Sequence, residues 1–192
     1  MTQFTNWTGY VTMTAGTPPR PLYQQAIAFF DKPGTAVDLG CGAGNESLDL
    51  LQRGWSVHAV DSNETAIHTI TERALGLPGL TTDQADLWSA TLPAVDLVYA
   101  GFSLFFVPPA RFAEAWARVV AAVVPSGRFA GHFLGMRDDW AALAEISAHR
   151  EHEVRELLPG WEVEHFAEVE EDGKAMNGPK HWQLYEVVAR RH

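Results

Sequence analysis

Apolar residues along this chain follow two alternating rhythms, and the alternation predicts an architecture. Short continuous apolar runs bounded by turn residues mark buried strands at Thr35–Leu39, at residues 56–60 with Asp61 at the end, at 94–100 and at 127–133. A weaker run over 80–85 predicts one more. Between them the apolar positions recur at helical spacing. Residues 22–30 read as a short amphipathic helix, 46–52 as a helix closed by Gly54, and 63–75 as a helix capped by Ser62 with Glu64 in its first turn. Phe112, Ala115, Trp116, Val119, Val120 and Val123 share one face of a further helix, which Pro125 stops. Asp138 or Asp139 is placed to cap a helix carrying Trp140, Leu143 and Ile146 that ends before Pro159 and Gly160. Strands and helices taking turns in this way require crossover connections, and hence parallel strand pairing.

The last part of the chain departs from that rule. Residues 161–170 and 181–190 both alternate like strands, and only a glycine-containing loop over 171–180 joins them. That connection is too short for a crossover helix, so an antiparallel hairpin is expected at the end of a parallel sheet. At the other end, the proline-rich stretch from Thr14 to Pro21 is a helix-breaking connector after a polar start, and residues 1–30 are expected to form an N-terminal cap or lid.

Composition narrows the partners. A chain of 192 residues that is 46% hydrophobic suffices for one well-filled α/β domain over 1–192. The net charge is −10, and between Glu145 and Asp172 ten acids face only Arg150 and Arg155. A phosphate backbone is repelled there, so nucleic acid is disfavoured and a small molecule is the expected partner. The single cysteine, Cys41, rules out an internal disulfide and reads as a small packing residue. No apolar stretch reaches the length of a membrane span, and no charged head precedes an apolar run, so no membrane partner and a cytoplasmic location are expected. Oligomeric state is left open.

The candidate chemistry sits where the first strand meets its helix. Residues 36–47 run from a strand ending on Asp38 and Leu39 into Gly40, Gly42 and Gly44, a turn that lets a ligand lie against bare backbone. A dinucleotide loop spaces its glycines G-x-G-x-x-G, whereas this chain has Asn45 at the third position. Asp38 would repel a pyrophosphate and favour a ligand carrying an ammonium and a sulfonium, which describes S-adenosylmethionine. A nicotinamide-dependent oxidoreductase keeps the fold but fails on Asp38 and Asn45.

With these residues in order the chain resembles the class I S-adenosylmethionine-dependent methyltransferases over residues 30–192. The family's D-x-G-x-G-x-G is matched by Asp38, Gly40, Gly42 and Gly44, with Cys41 inside the loop, and in the family this loop wraps the methionine half of the cofactor. Its acid at the tip of the second strand, which holds the ribose, is matched by Asp61 with Ser62 beside it; its D-L pair near the adenine is matched by Asp86 and Leu87, next to Trp88. A V-D-L-V strand feeding the reacting methyl is matched by Val95, Asp96, Leu97 and Val98 and leads to Tyr99. The resemblance implies a three-layer Rossmann-like sheet of seven strands with the antiparallel last strand beside the fifth. A narrower similarity is to small free-standing methyltransferases of the tellurite-resistance type, through the N-terminal lid and the Lys180-His181-Trp182 triplet.

Methyl transfer from a sulfonium is an in-line displacement that asks for alignment and dryness more than for catalytic groups. The acceptor centre is O, N, S or a metalloid; a proton-bearing nucleophile needs a base. His132, at the C-terminal end of the fifth strand, is the candidate base, with a structural hydrogen bond as the other reading. Arg20 is expected to meet the cofactor carboxylate as a lid closes. Trp7, Tyr10, Phe102, Arg137 and His181 are candidates for the acceptor site. The segment after the fourth strand lacks the N-P-P-Y or D-P-P-Y pattern of amino-directed nucleic-acid methyltransferases, and His149, His152 and Glu153 form no metal motif, so no metal is expected. The alternative to catalysis is a silent protein that binds S-adenosylmethionine or S-adenosylhomocysteine and reports on it to a partner.

Overall fold

In the computed structural model, which describes residues 6–192, the central sheet is built from β1 (Thr35–Leu39), β2 (Ser56–Asp61), β3 (Leu80–Gln84), β4 (Val95–Ala100), β5 (Val123–Gly135), β7 (Trp161–Ala175) and β8 (Gly178–Arg191) in the order β3-β2-β1-β4-β5-β8-β7. The short β6 (Ala148–His149) pairs with the end of β5 off this path. The first five strands run parallel, and β8 enters antiparallel between β5 and β7. This is the expected seven-strand sheet with a C-terminal hairpin, and β6 is an eighth, short addition.

Strand periodicity divides the core into two layers. Val37 and Leu39 of β1, Val98 and Ala100 of β4, and Phe129 and Phe133 of β5 point to the side covered by α5 (Pro109–Ala122). Their alternates, Ala36, Leu97, Tyr99 and Ala130, point to the side covered by α2 (Pro21–Ile27), α3 (Asn45–Gln52) and α4 (Glu64–Arg73). A parallel strand buried on both faces has no polar side to spare, which is why these strands read as continuous apolar runs. On α5, Trp116 stands edge-on to Phe129 with ring centroids 5.0 Å apart. Among the described residues no helix is long and apolar enough to cross a membrane.

Four expectations change. The polar start forms a helix, α1 (Trp7–Thr14), whose N-terminus is capped by Asn6 accepting from the Gly9 N–H at 2.9 Å. α4 is capped not by Ser62 but by Asn63, whose Oδ1 accepts from Thr65 and Ala66; the longer amide side chain reaches both N–H groups while Ser62 faces the cleft. The loop over 171–180 is mostly strand, because β7 and β8 stay paired up to Ala175 and Gly178. The helix expected after Asp138 does not form. Turns occupy residues 136–145, followed by β6 and the short α6 (Glu151–Glu156).

That last failure has a tertiary cause. Instead of capping a long helix, the Asp138 carboxylate lies fully inside the protein, paired with the Lys180 ammonium and accepting from the backbone N–H of Gln183 at 3.0 Å and of Trp140 at 2.9 Å. The ammonium also sits over the rings of Trp182 and Trp140, at 3.6 and 4.3 Å from their centroids. Trp140, Leu143 and Ile146 are therefore apolar for packing against Phe105, Leu134 and Leu184. Removing one member of a buried pair strands the other charge, so Asp138→Ala should cost about 3–5 kcal/mol in urea unfolding. An unchanged midpoint would show that the pair does not hold this layer.

Candidate functional site

The C-terminal ends of β1, β2 and β4 open into a cleft of about 280 Å³. Its floor is the turn after β1, which is tied to the neighbouring strand: the Val60 carbonyl of β2 accepts from the N–H of Gly40 at 2.8 Å and of Cys41 at 3.0 Å. Gly40 has φ +83°, and a Cβ there would stand 2.4 Å from Cβ of Ser103. Gly42, with φ +51°, has nothing within 4 Å of where a Cβ would be, so the turn presents bare backbone to the cleft. Gly44 then caps α3 in the left-handed region.

Asp61 organises this turn. Its Oδ2 accepts from the Gly42 N–H at 2.9 Å and its Oδ1 from the Asn63 N–H at 2.9 Å, leaving lone pairs on both oxygens. Asp38 is buried beside it, holding the Ser47 hydroxyl at 2.6 Å. Burial, reinforced by the nearby Glu46 carboxylate, pushes its pKa from 3.8 to about 7. Burial likewise raises Cys41 well above an ordinary thiol, which fits a packing residue rather than a nucleophile. The buried Tyr99 hydroxyl lines the cleft and has no hydrogen-bond partner among the described residues. An orphaned buried hydroxyl is costly unless a ligand supplies the partner.

The N-terminal segment is clasped onto the turn by two residues at the start of α3, Glu46 and Asn45. Glu46, buried in the first turn of α3, accepts from the Arg20 guanidinium at 3.0 Å and from the Arg20 backbone N–H at 3.1 Å. Arg20 reaches on to the Tyr10 hydroxyl at 3.0 Å and lies over the Phe102 ring. Asn45 accepts from the Gly16 N–H and donates to the Thr14 carbonyl and the Thr17 hydroxyl. Nothing in the local pattern around Glu46 or Asn45 announces these contacts.

A second cavity of about 590 Å³ adjoins the first and shares Trp7, Tyr10, Arg20, Phe102 and Phe106 with it. Trp140 and Trp182 wall its far side, and the turn of the β7–β8 hairpin, with Met176, forms its rim. Phe102 stands between the two cavities with φ +56°, a left-handed conformation that costs an aromatic residue about 1–3 kcal/mol. Asp86, Leu87, Trp88 and Ser62 line the first cavity, as Asp38, Asp61, Tyr99, Gly40 and Gly42 do.

Four candidates lie outside both, the first being Gly44, which packs against the Ile70 side chain. His132 is 2% exposed and lies behind the Phe102 ring, with centroids 4.3 Å apart. Burial holds its pKa below the ordinary value, and Glu186, 3.4 Å from Nε2, only partly offsets this. Arg137 is bound to Glu168 and Glu170 on β7, and His181 to Asp172 and Glu170. Among the described residues no three His, Cys, Asp or Glu side chains are grouped to hold a metal ion.

The family model described as "Methyltransferase domain" matches residues 36–127. Residues 36–127 are thus similar to that methyltransferase-domain family. The trans-aconitate 2-methyltransferase of Acidovorax sp. (strain JS42) is 36% identical over 97 residues, which are 50% of this chain and 36% of that protein. The chain thus matches well under half the length of this curated relative. TehB from Haemophilus influenzae has the same fold, with a TM-score of 0.81 at 21% identity over 97% of this chain and 67% of that one. The 1,6-didemethyltoxoflavin-N1-methyltransferase of Burkholderia thailandensis, solved with bound 1,6-didemethyltoxoflavin and S-adenosylhomocysteine, gives a TM-score of 0.71 at 21% identity over 96% of this chain and 82% of that one. These two structures share the fold over nearly the whole of this chain, the C-terminal hairpin included.

Asp38 makes a pH-dependent demand on the ligand-free protein. Its folded pKa, about 7, lies above its ordinary value of 3.8, so the contribution it makes to stability is complete below 3.8 and is lost as pH rises through 7. In urea unfolding, Asp38→Asn should therefore gain on the wild type steadily between pH 4 and 8. A difference that stays constant with pH would contradict the buried, protonated carboxyl.

Proposed function

We propose that this chain transfers a methyl group from S-adenosylmethionine to a small-molecule acceptor. The observation that carries the reading is the pairing, at the cleft floor, of a bare glycine turn with a buried carboxyl that forms no ion pair among the described residues. Asp38 would hold the cofactor's ammonium side of the methionine, against Gly40 and Gly42. Asp61, whose oxygens keep lone pairs after binding Gly42 and Asn63, would accept from the two ribose hydroxyls. Leu87 and Trp88, with Asp86, would enclose the adenine, and the Tyr99 hydroxyl would gain the partner it lacks. Arg20, committed to Glu46 and Tyr10, is better placed to hold α1 over the cleft than to bind a carboxylate alone.

Bound in that cleft, S-adenosylmethionine supplies an electrophilic methyl on a sulfonium. The residues of the chain align the acceptor and exclude water: Trp7, Phe102 and Phe106 wall the passage between the two cavities. His132, behind Phe102, supports that ring in its strained conformation and does not face the acceptor. The net charge of −10 favours a small acceptor over nucleic acid, and we place the reaction in the cytoplasm. The relatives' acceptors differ by name from one another, so none is carried over.

Calorimetric titration with S-adenosylmethionine and S-adenosylhomocysteine tests this directly. Both should bind, and because an ammonium beside Asp38 pulls its pKa back down, binding near pH 6.5 should release protons. The measured heat should then change with the ionisation enthalpy of the buffer. Asp61→Ala should weaken both ligands by about 1–3 kcal/mol. Absence of binding in a folded sample would end the proposal.

A further inference from the structure

The cleft's carboxylates can be accounted for one by one. Asp38 holds Ser47, Glu46 holds Arg20, and Asp61 holds Gly42 and Asn63. Asp86 also has no side-chain partner among the described residues, but it is exposed to solvent at the Leu87–Trp88 end. Glu145 is different. It is partly buried, lines the same cleft as Trp7, Phe102 and Phe106, and has no ion-pair or hydrogen-bond partner among the described residues. Its backbone is fixed: next to it Ile146 is buried, and Ser147 donates from its N–H to the Phe105 carbonyl at 2.9 Å and from its hydroxyl to the Val107 carbonyl at 2.7 Å. Both acceptors flank the turn that carries Phe106.

The charges around it select for a cation. Arg20 is neutralised by Glu46, which leaves Lys174, exposed near the end of β7 and accompanied there by Glu171, as the one other Lys or Arg among the described residues that line the two cavities. An anionic acceptor would meet a lone carboxylate with no matching positive group, whereas a protonated amine meets that carboxylate and a set of aromatic faces suited to a cation. The net charge of −10 raises the local concentration of cations further.

Resting on the methyl-transfer reading, we propose that the acceptor is a small apolar amine and that Glu145 anchors its nitrogen and takes its proton. An ammonium docks against the Glu145 carboxylate and passes one proton to it, becoming the neutral amine. The nitrogen lone pair forms the new N–C bond while the methyl's bond to sulfur breaks, its electron pair staying on sulfur. The methylated ammonium leaves, and Glu145 returns its proton to solvent. The apolar walls set by Trp7, Phe102, Phe106, Trp140 and Trp182 hold the rest of the acceptor.

The test uses the full chain with saturating labelled S-adenosylmethionine and a matched panel: phenethylamine, benzylamine and tryptamine against 2-phenylethanol and 3-phenylpropionate. Label should pass to at least one amine and to neither the alcohol nor the carboxylate. Glu145→Gln should lower amine kcat/KM about 100-fold, with S-adenosylhomocysteine affinity within about twofold of wild type and partial rescue by Glu145→Asp. Preference for the alcohol or carboxylate, an unchanged rate in Glu145→Gln, or no amine turnover while S-adenosylhomocysteine binds would each overturn the proposal. Failure of the wild type to bind S-adenosylhomocysteine would instead sink the methyl-transfer reading beneath it.

Discussion

The Val60 carbonyl at the end of β2 accepts two hydrogen bonds from the turn after β1, from Gly40 and Cys41, and the shape of the cleft depends on that fork. With the turn anchored there, the next residue of β2, Asp61, comes within reach of the Gly42 N–H and fixes it. The glycines permit the path, but it is the parallel register of β1 against β2, Leu39 opposite Val60, that brings donor and acceptor together. Every later feature of the cleft, from the seat of Ser103 against Leu39 to the start of α3, takes its position from this turn.

A second layer of order comes from the N-terminal segment. α1 buries Val11 against Ala43 and Ala66, so one apolar side chain seals the helix onto the turn and onto α4. Asn45 and Glu46 then take up the polar groups of the connector that follows. The residue at which the glycine pattern is broken is thus the one that ties down Gly16, Thr14 and Thr17. The same substitution that argues against a pyrophosphate gives the cleft its cover.

The third wall depends on the C-terminal hairpin. Because β8 is inserted between β5 and β7, its first residues meet the segment after β5, and the ammonium of Lys180 joins Asp138 between the rings of Trp140 and Trp182. A charge buried at this depth is tolerable only with a partner and hydrogen bonds, and here it has the carboxylate, the His181 carbonyl and two ring faces. The acids of β7 that dominate the net charge lie on the edge strand, where like charges discourage pairing with another chain.

By itself the sequence determined the parallel core, the C-terminal hairpin, the glycine turn and its acids Asp38 and Asp61, because all of these are written in spacings shorter than one element and its connection. It misjudged the segment after Asp138, where apolar spacing suited a helix while the carboxylate was claimed by a lysine 42 positions away. It placed His132 correctly at a strand end yet could not show that Phe102 covers it, nor that Arg20 and Glu46, 26 positions apart, close the N-terminal segment over the cleft. Only the tertiary structure decided which of the described carboxylates are paired, and that the partly buried Glu145 is not. Periodicity records what a residue presents to its own element, while the partner of a buried charge is set by which strands the sheet brings side by side.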